Sequence, residues 1–305
     1  MTRFYELLGC PQPFDTRRNF VTSPWFSSTV LAAIRGTVAL YTLVTLLVIL
    51  IMDAVSFHNA DSYFSFFTEL TYIGICSYYW ASFTQTLVYA LRLRRLDTGS
   101  EKLPDYPLQS WPRILQLLHV ILRTTMVSYP ILVTIVFWGI LASPSVFKTP
   151  FSAWSNISIH ALNTVWSLFE MLGTNSPPPK WTVLPFIIVV LALYLGLAYV
   201  TKATQGFYPY PFLDPSKGSA RLAGYIVGIA VAACIVFAFA KGIMWARMRM
   251  SGVRGREGKM VEGDDEERVD GVDEKGKGGR KSLVGSSGEE KEDGPGPVVH
   301  GDRMV

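Results

Sequence analysis

The sequence predicts an all-α membrane protein: a polytopic bundle of about six transmembrane helices, followed by a disordered C-terminal tail. Half of the 305 residues are hydrophobic, whereas only 17% are charged. Soluble globular chains carry about 25% charged residues. The apolar residues are gathered into long runs, and a hydrocarbon core of about 30 Å needs roughly 20 such residues per helix. The last fifty residues are dominated by Gly, Glu, Asp, Lys and Ser.

Six segments are candidate spans, and together they define a membrane domain at residues 26–246. The fourth segment is the least hydrophobic because a row of polar residues interrupts it. Such a helix is stable in a membrane only where the polar row faces protein or a watery cavity. The six segments are residues 26–52, 64–91, 113–142, 152–172, 181–201 and 221–246.

The loops predict the orientation of the bundle. Residues 1–25 contain no apolar core long enough for a secretory signal, so the first span must itself direct insertion. Residues 53–63 contain no Lys or Arg, whereas the next loop and the stretch after the last span are rich in both. Cytosolic loops carry this excess, so we expect both termini in the cytosol. The connection containing Lys202, Lys217 and Arg221 favours the opposite orientation.

Residues 247–305 form the predicted cytosolic tail. From Ser251 onward there are ten basic and fourteen acidic residues and no aromatic residue. A segment of this composition does not bury enough apolar surface to offset the entropy of ordering. We therefore expect a disordered, solvated tail. Its protein partners are unknown, and Ser282 is a candidate phosphorylation site.

Ionisable residues occur at membrane depth in several spans. Arg35 lies in the first span, Glu69 in the second, Arg123 in the third and Glu170 in the fourth. Each such residue costs about 2.5 to 3.5 kcal/mol on insertion scales, so we expect it to be paired or functional. The structural interpretation is a set of buried ion pairs, in which Arg35 or Arg123 contacts Glu69 or Glu170.

The fourth span carries a polar stripe within the sequence NISIHALNTVWSLFEM, residues 156–171. Its polar residues recur at spacings of 4, 3, 4 and 3, which place them on one helical face. We expect this face to line a polar, partly enclosed cavity, with His160 as the catalytic residue. A side-chain amide one turn away would hold the imidazole in one tautomer. The stripe consists of Asn156, His160, Asn163, Ser167 and Glu170.

Thr68 is the hydroxyl that we expect to meet His160. Both residues follow the starts of spans on the non-cytosolic side, at about 6 and 12 Å along their helices. A hydroxyl beside an imidazole is the minimal combination of nucleophile and general base. The alternative is structural, because membrane threonines often bond their own helix and a lone histidine often packs in the bundle.

Metal and cofactor chemistry is not predicted. The four histidines and three cysteines show no HxxxH, HExxH or CxxC spacing, so we expect no metal site and no cofactor. The widely spaced cysteines are interpreted as packing residues. We expect no nucleic-acid partner.

Three motifs, in this order, resemble the androgen-induced and androgen-dependent TFPI-regulating membrane proteins, and most closely the fungal branch. They are FFTEL (66–70), SNISIHALNTVWSLFEM (155–171) and GFYPYPFLD (206–214). The resemblance covers about residues 26–245. Animal members hydrolyse fatty acid esters of hydroxy fatty acids with an intramembrane threonine and a histidine. The resemblance assigns these roles to Thr68 and His160.

The sequence also departs from the animal pattern. Thr71 stands where animal members carry an amide or a carboxylate, and it is a second candidate nucleophile on the face of Thr68. The stretch KATQG (202–206) lacks the histidines that animal members carry before this glycine. These departures leave the choice of substrate open.

The resemblance implies an intramembrane threonine hydrolase of lipid esters. The endoplasmic reticulum or another endomembrane is the default location for a lipid enzyme whose sequence shows no address motif. Its substrate would enter from the bilayer, and Arg35 or Arg123 would hold the free carboxylate of that substrate. Glu69 is a further candidate near the nucleophile. The alternative function is non-enzymatic, namely a small transporter or scaffold that uses the polar stripe for ligand binding or helix packing.

Overall fold

A computed structural model describes residues 2–96 and 103–276, with side chains for residues 3–96 and 103–251. These residues form helices and no β-strand, which confirms the predicted all-α class. Two π-helical turns accompany the α-helices: Phe137–Leu141 follows α5, and Ser158–Leu162 joins α6 to α7. The α-helices are α1 (Thr2–Leu7), α2 (Ser28–Val55), α3 (Phe67–Arg94), α4 (Pro107–Ser110), α5 (Arg113–Val136), α6 (Pro150–Ile157), α7 (Asn163–Gly173), α8 (Leu184–Gln205) and α9 (Ser219–Gly276).

Four segments of the described residues are long and apolar enough to cross a membrane. They correspond to the predicted first, third, fifth and sixth spans. The other two predicted spans are also helical, as α3 and as the joined α6 and α7, but their polar residues lower the hydropathy. The chain is therefore a multi-pass integral membrane protein. The four apolar segments are Ser28–Val55, Arg113–Leu141, Trp181–Gln205 and Ser219–Ser251.

The chain divides into two compact units, Met1–Val253 and Arg254–Val305. Helix α9 continues to Gly276, beyond the predicted end of the last span at residue 246. The remainder of the predicted disordered tail, residues 277–305, lies outside the described residues.

Deletion of residues 258–305 is expected to leave membrane insertion and thermal unfolding of the first unit unchanged. The deleted segment lacks the apolar residues that a stable docking face requires. Detergent-solubilised full-length and truncated proteins would be compared by thermal unfolding after their membrane fractions have been quantified. A lower unfolding temperature for the truncated protein would contradict this expectation.

Helices α3 and α5 form the centre of the first unit. Helix α3 packs against α2 and α5, while α5 also packs against α7. Side chains of these four helices and of α9 share one hydrophobic core, to which Tyr72, Met126, Met171 and Met244 contribute. Large apolar residues on the outer faces of α2, α8 and α9 remain exposed. Apolar surface of this extent fits a helix that faces lipid.

The N-terminal segment folds against the bundle where α3 ends and α5 begins. Ser23 Oγ donates a hydrogen bond to the Gly173 carbonyl at 2.6 Å. The backbone N–H of Asn175 donates to the Thr22 carbonyl at 2.9 Å. The sequence predicted a cytosolic segment here and gave no sign of this packing. Its buried apolar residues are Leu8, Cys10, Phe14, Phe20 and Val21, packed with Tyr89, Tyr106 and Leu117.

Candidate functional site

Thr68 lies in the first turn of α3, at a helix end that a neighbouring loop caps. Phe66, which precedes α3, gives no side-chain hydrogen bond to this turn. Instead, the Tyr210 hydroxyl accepts a hydrogen bond from the Phe67 N–H at 3.1 Å. Gly206 ends α8 with a left-handed φ of 83°, which is common after a helix C-terminus. The loop that starts there carries Tyr210 to α3, so Thr68 sits at a capped, electropositive helix end.

The Thr68 hydroxyl faces the His160 imidazole. Thr68 Oγ1 lies 3.4 Å from His160 Nε2, and both side chains are buried. The other ring nitrogen, Nδ1, lies 3.2 Å from the backbone carbonyl oxygen of Asn156. Because a carbonyl oxygen only accepts hydrogen bonds, Nδ1 carries the proton and donates it. Nε2 therefore presents a lone pair to the hydroxyl, which is the tautomer that a general base requires.

A π-helical turn, Ser158–Leu162, positions the histidine. Such turns interrupt the regular helical hydrogen bonds and are frequent at functional sites. The side chain of Asn163 supplies hydrogen bonds to backbone groups in place of the regular helical ones. Asn163 Nδ2 donates to the Ile159 carbonyl at 2.8 Å, and Asn163 Oδ1 accepts from the Thr164 N–H at 2.6 Å. The buried amide thus stabilises the turn that carries the imidazole.

Residues from the end of α5 fix the histidine from the opposite side. The Thr134 hydroxyl and the Trp138 indole N–H donate to the His160 carbonyl at 2.7 and 3.0 Å. The Phe137 ring stacks on the imidazole, with centroids 3.4 Å apart and planes 12° apart. Phe137 begins the second π-helical turn. Backbone and ring are therefore both held in place.

The two asparagines of the stripe do not hold the ring through their amides. Asn156 Nδ2 donates to the Ser152 carbonyl at 2.8 Å, one turn back in its own helix. Asn163 bonds the backbone of the π turn. The expectation that a side-chain amide selects the tautomer is therefore wrong, because the Asn156 backbone carbonyl does so.

Arg35 and Glu170 form a buried ion pair between α2 and α7. Arg35 Nε and Nη2 donate to the two carboxylate oxygens of Glu170, each at 2.8 Å. Arg35 Nη1 donates to the Phe20 carbonyl and to the Thr86 hydroxyl. Tyr78 donates to Glu170 Oε2 at 3.1 Å. This confirms the ion-pair interpretation for Arg35 and excludes its expected role toward a substrate carboxylate, since all its nitrogens are engaged in a fully buried site.

The other two candidate groups make no ion pair among the described side chains. Arg123 is buried, with Nη1 3.9 Å from Met244 Sδ and its guanidinium 5.5 Å from the Phe20 ring centroid. Glu69 Oε2 is buried without a hydrogen-bond partner. Neither residue lines the cavities described below. Their roles toward a substrate stay predictions.

A cavity of about 210 Å³ opens beside Thr68. Thr68, Tyr194 and Tyr210 supply hydroxyl groups to its wall, and the other lining residues are apolar. None of the five stripe residues lines this cavity, so the expectation that the stripe faces a polar cavity is wrong here. Most of the stripe is instead used in bonds within the protein. The apolar residues come mainly from α5, α8 and α9 and include Leu132, Val136, Phe137, Ile188, Leu191, Leu195, Ile229 and Ala230.

Thr71, the second candidate nucleophile, lies one turn beyond Thr68. Its hydroxyl is buried and has no hydrogen-bond partner, so no base contacts it within the described residues. It does not line the cavity beside Thr68. The geometry therefore favours Thr68.

No group of three or more His, Cys, Asp or Glu side chains in the described part of the chain is arranged to hold a metal ion.

A family profile described as FAR-17a/AIG1-like protein matches residues 35–244. The match covers more than half of the chain. The chain belongs to the FAR-17a/AIG1-like family. The matched region contains α3, α5, both π turns and the loop that carries Tyr210, and therefore every residue of the Thr68 site. No curated protein and no solved structure matches the chain at a significant level.

Family membership agrees with the resemblance that the three motifs indicate. Sequence reasoning nevertheless gave no role to several residues of the site. Tyr210 lies in the GFYPYPFLD motif, which marks it as a residue of interest. The neighbouring sequence, however, does not reveal which helix its hydroxyl contacts. Phe137, Thr134 and Trp138 lie in an ordinary apolar run that carries no signal.

Proposed function

We propose that this member of the FAR-17a/AIG1-like family is an intramembrane hydrolase of lipid esters, with Thr68 as nucleophile and His160 as general base. The observation that carries the proposal is the contact between Thr68 Oγ1 and the lone pair of His160 Nε2, beside an apolar cavity. A spacing of 3.4 Å is at the long end for a hydrogen bond. Such contacts shorten when a substrate completes the site.

In the first step, Thr68 Oγ1 attacks the carbonyl carbon of the ester, and its proton moves to His160 Nε2. The carbonyl π electrons move to oxygen and give a tetrahedral oxyanion. Collapse of this intermediate breaks the bond to the leaving oxygen, which takes the proton from His160. The products of this half-reaction are a free alcohol and an acyl-threonine ester. The Nδ1 hydrogen bond to the Asn156 carbonyl keeps the imidazole oriented throughout.

Tyr210 is suited to stabilise the oxyanion. Tyr210 lines the same cavity as Thr68, and its hydroxyl accepts a hydrogen bond from the Phe67 N–H. Burial raises the pKa of Tyr210 to about 12, so the phenol stays protonated near neutral pH. We propose that the Tyr210 hydroxyl donates its proton in a hydrogen bond to the oxygen that develops charge beside Thr68. Donors aimed at such an oxygen are a major source of rate acceleration in acyl transfer.

In the second half-reaction, water attacks the acyl-threonine carbonyl while His160 Nε2 accepts a proton from it. Collapse releases a carboxylic acid and returns the proton to Thr68.

The apolar wall of the cavity suits the hydrocarbon chain of the acyl group. We propose that the substrate enters laterally from the bilayer, that the enzyme resides in the endoplasmic reticulum or another endomembrane, and that both termini face the cytosol.

Labelling with a fluorophosphonate, followed by mass spectrometry of the adduct, tests the assignment of the nucleophile. We expect the folded protein in detergent to form one adduct, on Thr68, because His160 activates only this hydroxyl. A long-chain lipid ester should lower the yield by competition. Heat-unfolded protein serves as the control for non-specific labelling. An adduct on Thr71, or none on folded protein, would reject the proposal.

A further inference from the structure

The charged side chains buried inside the bundle do not balance in sign. Among the described residues, three arginines and one carboxylate are buried, and each is at most 3% exposed: Arg35, Arg123, Arg247 and Glu170. Arg35 engages both oxygens of the carboxylate. Two buried guanidinium groups therefore remain without a carboxylate. A buried charge is costly unless an opposite charge accompanies it.

Arg247 is compensated by the end of a helix. Its Nη1 donates to the Met171 and Thr174 carbonyls, and its Nη2 donates to the Ser176 carbonyl at 2.6 Å. These carbonyls belong to the last turn of α7 and to the residues just beyond it. The C-terminal end of a helix carries partial negative charge and favours a cation.

Arg123 has no oxygen acceptor among the described residues. Its Nε is enclosed without a hydrogen-bond partner. Its Nη1 contacts the Met244 sulfur at 3.9 Å, and a thioether is a weak acceptor. The Phe20 ring, 5.5 Å from the guanidinium carbon, adds a cation–π attraction but no negative charge. A guanidinium buried in this way needs a further partner.

His119 lies one helical turn before Arg123, on the same face of α5. Its ring packs against Phe20 and Tyr78, with both centroids 5.7 Å away. The ring nitrogens of His119 and Nη2 of Arg123 make no hydrogen bond with a described residue, yet they are not fully enclosed. These nitrogens therefore face space that a small ligand can reach.

Charge and space restrict the partner of Arg123. Asp15 uses both carboxylate oxygens in bonds to the Tyr106 hydroxyl and to two backbone N–H groups. A water molecule would accept a hydrogen bond but would leave the charge uncompensated. A fatty carboxylate would need room for its chain, but Arg123 lines neither the cavity beside Thr68 nor a second cavity, of about 320 Å³, between α3, α5 and α8.

We propose that Arg123 and His119 bind a small inorganic anion of the size of chloride inside the bundle. Nη2 of Arg123 and one ring N–H of His119 donate to the anion. The anion compensates the guanidinium and stabilises the contacts of α5 with the segments around it. Tyr78, which packs on His119, lies ten residues beyond Thr68 on α3, about 15 Å along the helix. The anion site is thus separate from the Thr68 site and does not depend on hydrolysis.

Thermal unfolding of the full-length protein in detergent tests the site. Chloride would replace gluconate, a much larger anion, at constant ionic strength. We expect the unfolding temperature to rise by about 5 °C and then to level off, because a ligand that binds only the folded state stabilises it by mass action. No change in wild-type protein would overturn the proposal.

Two arginine variants assign the effect of chloride to the buried site. Arg123→Met should abolish the rise. Without chloride, this variant should unfold at no lower temperature than wild-type protein, because an apolar residue replaces an uncompensated buried charge. Arg249→Met is the control, since Arg249 is exposed on α9 and packs over the Trp245 ring; it should keep the full rise. An equal rise in Arg123→Met would overturn the proposal.

Anomalous scattering from bromide locates the anion without any substitution. Crystals of wild-type protein grown in bromide should show an anomalous peak within about 3.5 Å of Arg123 Nη2, close to hydrogen-bond distance. Bromide bound only elsewhere, as an adventitious ion only, would overturn the proposal. Density at this position without an anomalous signal would identify water and would overturn it as well.

Discussion

Thr68→Ala is expected to reduce hydrolysis of a long-chain lipid ester by at least about 10³-fold, because it removes the nucleophile and leaves only background catalysis. Thr68→Ser keeps the oxygen and should retain measurable turnover. His160→Gln should also abolish turnover, since no other base contacts the hydroxyl among the described residues. The measurement is kcat/KM for purified protein in lipid nanodiscs, normalised to the amount of folded protein.

Two threonine variants serve as controls. Thr124→Ala deletes the same atoms from a buried threonine that bonds its own helix at 2.8 Å and lies outside the site, so it should keep full activity. Thr71→Ala should keep fluorophosphonate labelling of Thr68. Normal turnover by Thr68→Ala would exclude Thr68 as the nucleophile. An equal loss in Thr124→Ala would show that packing, and not chemistry, explains the effect.

Glu170→Leu is expected to destabilise the protein by about 3 to 5 kcal/mol, because it leaves the Arg35 guanidinium buried without its carboxylate. The pair is fully buried and bidentate, so neither solvent nor salt can replace the missing charge. The double variant Arg35→Met with Glu170→Leu should recover most of the loss. Thermal or denaturant unfolding in detergent measures both effects.

An ion pair with one exposed partner supplies the control, since the Arg18 side chain is 13% exposed and only its carboxylate partner faces solvent. Arg18 and Asp105 lie 2.7 Å apart, but the Asp105 side chain is 60% exposed. Asp105→Asn should therefore cost less than about 1 kcal/mol. If Glu170→Leu cost no more than Asp105→Asn, the buried pair would not be a major stabilising contact.

Several features of the fold and of the site could be predicted, because they depend only on the pattern of apolar and polar residues and on positions along helices. The apolar runs locate the helices, and the cost of buried charge predicts a partner for Arg35, which is Glu170. Thr68 and His160 follow the starts of two spans that both begin on the non-cytosolic side, so their depths predict that they meet, and the structure brings them to 3.4 Å. Each of these inferences needs only helical periodicity and the thickness of a bilayer.

Other features depend on three-dimensional packing that one sequence does not reveal. A π turn differs from an α-turn by one residue, so the periodicity of residues 156–171 does not distinguish them. The apolar character of the cavity follows from which helices face Thr68. Arg123 makes no ion pair with a described carboxylate, although it lies in a span as Arg35 does. The cap that Tyr210 provides to α3 joins residues 143 positions apart.

The packing of the N-terminal segment has a consequence for biosynthesis. Residues 22 and 23 bond residues 173 and 175, and the Leu7 carbonyl accepts from the Thr182 hydroxyl. The segment is synthesised before these partners and cannot bond them until about 160 further residues have been translated. These contacts therefore form only after α2 to α7 have been synthesised.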